Sequence, residues 1–328
     1  MKRRAYIILI LLAAVAAIAI REARLHGKMG LGEAYAGGQN VTVWNTPAEV
    51  RSPVTTLSYG TPVQVIDRYG DLAEIRTGDG IQGWVPFRLL LEPAVWHDAA
   101  SLNEETKLMP VQARGETRVR TNIHTSPGRN TPVLLQAIGG VPILMLERKA
   151  EPLPHQAGKE NEADASKRED WWLVRASTKD EGVISGWILR RFVSLDLPDV
   201  LAGYASSEGF NVIAWYEINK AADSAGGVKP EYLVAGTRGG EGQPCDFTLV
   251  RVYTWSRARN RYETAFIEND LCGSLPVEVT PASAPGGAGY FRFRNAGASG
   301  VENREYGMKF TLVRRMGGKP SRRKSRKR

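Results

Sequence analysis

Part of this sequence occurs twice, and that repetition limits the fold more than any other feature. Shifted by 80 residues, Val43 to Arg68 overlays Ile123 to Arg148. Thr46-Pro47 meets Ser126-Pro127, Gly60 meets Gly140, Pro62 meets Pro142, and Val63 and Val65 meet Ile143 and Met145. Ile75-Arg76 then meets Val174-Arg175 at a shift of 99, and Gly83-Trp84-Val85 meets Gly186-Trp187-Ile188 at a shift of 103. The order is kept; only loop lengths change. Each matched stretch alternates apolar and polar residues, the pattern of a half-buried strand, so two copies of one small β-unit are expected. Gly60 and Gly140 each precede a strand and are expected at positive φ, where other residues are strained. Gly83 and Gly186 are expected to let the backbone pass close beneath the following Trp.

The repeated unit resembles the bacterial SH3-like (SH3b) domain. That family opens on a Leu-Asn-Val-Arg-x-Gly-Pro stretch, continues through Lys-Gly-x-x-Val-x-Val and closes on Gly-Trp-Val. Copy one reads Thr42-Val43-Trp44-Asn45-Thr46-Pro47, then Gly60-Thr-Pro-Val-Gln-Val, then Gly83-Trp84-Val85. Copy two reads Asn122-Ile123-His124-Thr125-Ser126-Pro127, Gly140-Val-Pro-Ile-Leu-Met and Gly186-Trp187-Ile188. Trp44 stands where the family has arginine, and neither copy keeps the glycine before proline. The resemblance implies small barrels over residues 37–92 and 117–196, and binding of peptidoglycan or of other envelope proteins. Trp44, Trp84, His124 and Trp187 are the ligand-contact candidates. Trp84 and Trp187 are read either as core plugs or as walls of a groove; Val85 and Ile188, pointing to the opposite face, are taken to favour the plug.

The N-terminus speaks for export. Met1-Lys-Arg-Arg precedes Ala5 to Ile20, sixteen residues without a charge. As a helix they span roughly 24 Å, less than a hydrocarbon core of ~30 Å. Residues 1–36 are therefore read as a signal peptide, with Ala17-Ile18-Ala19 as a cleavage site, or as an apolar anchor helix extended by Arg21, Arg24 and Lys28. The body is expected in the periplasm or facing outward.

Charge patterning supports this. The net charge of +9 sits at the ends: nine basic residues fall in 314–328 and six in 1–36. The middle keeps 29 basic residues against 33 acidic, which argues against a body built to hold nucleic acid. The tail, 317–328, is expected to be disordered and to meet anionic lipid or envelope polymer. A charged stretch within copy two, 147–170, has 12 charged residues among 24 and reads as a mobile loop. Residues 93–116 read as a linker.

Cys245 and Cys272, the only cysteines, are equidistant from residue 258.5, the centre of a polar Ser-Arg-Ala-Arg-Asn-Arg turn between two strand-like flanks. A hairpin there would bring them together, and a disulfide fits an exported protein. Seven strand candidates fill 197–316: 210–218, 231–238, 247–255, 262–268, 275–280, 290–294 and 308–313. They imply an antiparallel β-sandwich or barrel. Its aromatic residues form either a ligand platform or the core. Neither metal-ligand spacing nor a nucleotide or hydrolase motif is present, so no cofactor and no metal is expected. The sequence reads as a binding protein, with an envelope scaffold or a hydrolase sited in the C-terminal domain as alternatives.

Overall fold

A computed structural model of the chain describes residues 32–38, 40–153, 167–179, 182–224 and 226–317. The apolar segment 5–20, residues 154–166 of the charged loop (His155 included) and residues 318–328 of the basic tail lie outside the described residues. Among the described residues no helix is long and apolar enough to cross a membrane. The described chain is mostly β, in antiparallel sheets, with two α-helices.

The first repeat contributes β1 (Glu33–Ala36), β2 (Val41–Trp44), β3 (Pro53–Leu57), β4 (Pro62–Tyr69), β5 (Leu72–Thr77), β6 (Gln82–Pro86) and β7 (Leu90–Leu91). They form one sheet in the order β3-β2-β6-β5-β4-β1-β7. Period-2 alternation explains its core: Val41, Val43, Val63, Val65, Ala73, Ile75 and Val85 all face inward and are buried.

The second repeat contributes β8 (Ala113–Thr117), β9 (Thr121–His124), β10 (Val133–Ala137), β11 (Pro142–Pro152), β12 (Arg168–Thr178), β13 (Gly182–Leu189) and β14 (Val193–Leu195). Its order, β10-β9-β13-β12-β11-β8-β14, is that of the first sheet with every strand advanced by seven. Details repeat as well. Gly60 (φ +78°) donates its N–H to Ala36 O, and Gly140 (φ +81°) donates to Thr117 O, both at 2.7 Å. A bulge falls after Val65 in one copy and after Met145 in the other, 80 residues apart.

The structure adds detail to the expected layout. The segment 93–116, expected as a linker, holds α1 (Pro93–Thr106) and most of β8. Proline at the first helical position costs no hydrogen bond and presets φ. Trp96 stacks on Tyr35 at 5.1 Å, and further along the helix the Thr106 and Ser185 hydroxyls are 2.7 Å apart. The described flanks of the charged loop are strand rather than loop, because β11 and β12 stay paired from Ile143↔Ala176, through one bulge, to Pro152↔Arg168. Most of the second repeat groups with the C-terminal β-region in one compact unit.

That C-terminal region begins with α2 (Asp199–Glu208), closed by Gly209 at φ +66°. β15 (Asn211–Ala222), β16 (Val228–Thr237), β17 (Leu249–Ser256) and β18 (Arg261–Glu268) form one four-stranded meander. β19 (Gly273–Thr280), β20 (Ala288–Gly297), β21 (Gly300–Lys309) and β22 (Leu312–Met316) form another. The expected strand at 308–313 straddles the turn between β21 and β22, so eight described strands replace seven. Phe247 meets Phe293 edge-on at 5.2 Å and Phe266 meets Tyr306 at 5.5 Å, joining the sheets. α2 packs Leu201 and Ala205 over Tyr232, Val234, Leu249 and Tyr253. Most of the aromatic candidates are thus packed against one another: Tyr253, Phe291 and Phe293 are buried, and Trp215, Tyr232, Tyr262 and Trp255 form a chain of ring contacts.

Cys245 and Cys272 are bonded, with Cα atoms 4.9 Å apart. The β17–β18 ladder starts at Ser256↔Arg261, as the equidistance argument requires, and one bulge shifts it by a residue before Val250↔Glu268. The bond fastens the loop before β17 to the residue preceding β19.

Candidate functional site

The four candidate residues form two cross-strand pairs at equivalent positions. Trp44 of β2 stands opposite Trp84 of β6, and His124 of β9 stands opposite Trp187 of β13. Repetition of sequence has become repetition of register.

The pairs differ in their surroundings. In the first repeat Val43 and Val85 take the core side, so Trp44 and Trp84 lie on the outer face, both half-buried. The plug reading therefore fails for Trp84; the residue that fills the core is its neighbour. Gly83 makes the arrangement possible, since a Cβ there would sit 2.6 Å from the Trp44 carbonyl oxygen. The Arg51 guanidinium lies 4.6 Å from the Trp44 ring centroid, and the loop carrying it is closed by Ser52 N–H donating to Asn45 Oδ1 at 2.9 Å. Glu74 of β5 stands beside Trp84 in the next strand. The result is a half-open aromatic pair flanked by one cation and one carboxylate, suited to stacking on a sugar face or a peptide plane while charges orient the ligand.

In the second repeat the same positions are closed. Trp187 is 4% exposed and packs with Leu146, Trp171, Leu173 and Leu189, covered by Leu102, Met109, Val111 and Phe192. Here the plug reading describes Trp187 correctly, although Ile188 on the opposite face is buried too. His124 is buried, sits edge-on to Trp171 at 5.2 Å, and places Nδ1 3.1 Å from both the carbonyl and hydroxyl oxygens of Thr131. Burial lowers its pKa, with the Thr131 carbonyl offsetting part of that. His124 and Trp187 are thus both packed inside the second repeat.

A second polar centre was hidden in the charged stretch 147–170. Arg148 is almost wholly enclosed and donates to Asp170 at 2.6 Å, Asp246 at 3.0 Å, and the carbonyls of Gln243 and Cys245. Asp170 also accepts from Arg190 and from the Gly242 N–H. Glu169 is held by Arg129 and Arg191. Burial raises the Glu169 pKa, but the two guanidiniums outweigh it and leave it below the ordinary value. For Asp246 burial prevails over the Leu275 N–H and Arg148, and the pKa is raised. The repeat itself carried a signal for this centre: Arg148 aligns with Arg68, whose guanidinium lies 3.6 Å from the Phe87 ring centroid, and Arg190 takes the place of Phe87. An ion-pair network has replaced a cation–π contact.

Among the described residues no group of three or more His, Cys, Asp or Glu side chains is placed to hold a metal ion. Compared with known proteins, the chain matches no family model and no curated sequence.

Proposed function

We propose that this is an exported, non-catalytic cell-envelope binding protein whose two repeats are bacterial SH3-like modules, with a β-sandwich at the C-terminal end. Only the first module serves as a binding surface, for peptidoglycan or an envelope peptide. The observation that carries this reading is the contrast between equivalent pairs: Trp44 and Trp84 half-open beside Arg51, His124 and Trp187 sealed. The second module acts as a structural element, fused to the C-terminal sheets through Arg148. In this reading residues 5–20 direct the chain to the membrane, and the basic tail adds attraction to anionic lipid or polymer, falling off over ~8–10 Å.

The test is co-sedimentation with purified sacculi. Trp44→Ala and Trp84→Ala should keep cooperative melting and each lose about tenfold in affinity, a typical cost for one stacking aromatic. Wild-type binding that is absent, or unchanged in both variants, would overturn the proposal. Deleting residues 318–328 should flatten the salt dependence of binding to anionic vesicles; superimposable salt curves would remove the tail's role.

A further inference from the structure

We infer that the second compact unit carries a binding site for a small organic anion, at a place the repeat motif does not include. A cleft of about 430 Å³ lies where the turn between β8 and β9, the turn after β13, the start of β15 and the loop at Gly240–Glu241 converge. Three arginines line it: Arg118 from the first turn, Arg190 and Arg191 from the second. Its volume lies in the range typical of small-molecule sites.

The charges here do not balance. Arg190 draws on Asp170, which Arg148 and the Gly242 N–H already engage. Arg191 draws on Glu169, which Arg129 also holds. Glu169 thus serves two guanidiniums and leaves Arg191 with about half a counter-charge, whereas Arg148 and Arg190 have Asp170 and Asp246 between them. Arg118 has none: its backbone N–H donates to Phe192 O, and its exposed side chain has no partner among the described residues. Counting Asp246 and Glu241, the one acid lining the cleft, five arginines face four carboxylates.

Guanidinium forks recognise carboxylate and phosphate oxygens in pairs, and a partly desolvated cleft strengthens that attraction. Val193, Leu195 and Val212, each half-buried, add an apolar wall. The complement is an organic molecule with an anionic head and an apolar body, not a bare inorganic ion. The site is independent of the Trp44–Trp84 surface and does not rest on the envelope reading.

The full-length protein would be titrated calorimetrically with phenyl phosphate and with benzoate, which separates phosphate from carboxylate recognition. Saturable binding of either probe is expected, weakened about tenfold by Arg118→Gln and unchanged by Arg257→Gln, an exposed arginine elsewhere. Because Arg118 is exposed and unpaired, its variant should melt as the wild type does. No saturable binding of either probe up to about 10 mM, or equal affinities in Arg118→Gln and wild type, would overturn the assignment.

Discussion

Replacing Glu231 by glutamine should stabilise the protein in mildly alkaline solution and do nothing in acid. Glu231 lies on β16 opposite Asn219, is 1% exposed, and has no hydrogen-bond partner of normal geometry for either carboxylate oxygen. Burial pushes its pKa from 4.5 to about 7, the nearby Trp255 N–H offsetting only part of that. An unfolded chain releases this proton near 4.5, whereas the folded chain keeps it to about 7. Between those values the native state binds more protons, so stability falls as pH rises and the full penalty stands above pH 7. At ~1.36 kcal/mol per pH unit the interval is worth at most roughly 3 kcal/mol, and about 2 once side-chain relaxation is allowed. Urea unfolding of both proteins from about pH 4 to about pH 8 measures the difference directly. Asp246, His124 and Glu169 also titrate with altered pKa, but they are common to both proteins and cancel. Two curves running parallel across the window would refute the argument, as would a glutamine variant less stable at the alkaline end.

Loss of the disulfide through Cys245→Ser should cost ~3 kcal/mol for a 27-residue separation, and reductant should abolish the difference between variant and wild type. Arg148→Met should cost about 3–5 kcal/mol in urea unfolding, because Asp246 loses its cation and two carbonyls lose a donor. Lysine at 148 should not restore it, lacking the planar fork that reaches four acceptors. Trp187→Ala should cost about 3–5 kcal/mol by thermal or urea melting, whereas Trp84→Ala, half-exposed, should cost less than about half of that.

What the sequence disclosed was whatever has a period. Alternation located the strands, and the shifts of 80 and 103 placed Trp44 with Trp84 and His124 with Trp187 as equivalent pairs. What it concealed depends on coverage from distant residues. Alternation puts Trp84 and Trp187 alike on outer faces; Leu102, Met109 and Val111, far off in sequence, seal only the second. The stretch around Arg148, Glu169 and Asp170 looked like solvated surface because composition counts charges without pairing them, and opposite charges brought together can be buried. α1 was missed for a simpler reason. Its apolar residues, such as Trp96 and Leu102, find their partners in strands near and far, so no single apolar stripe marks it in the sequence.

The reach of Arg148 sets an order of events during synthesis. The core of the first repeat is drawn from residues 34–90, so it can close once that length of chain is free. The second repeat reaches further: Arg148 binds groups 97 and 98 residues downstream, and Gln112 accepts from Val277, 165 residues away. A nascent chain ending between 197 and 242 would hold Arg148 to Asp170, which Arg190 also engages, but without Asp246 and the carbonyls of Gln243 and Cys245. Enclosure of Arg148 is therefore completed only when the far end arrives, and a chain cut short of 243 leaves that guanidinium without Asp246 and two of its carbonyl acceptors.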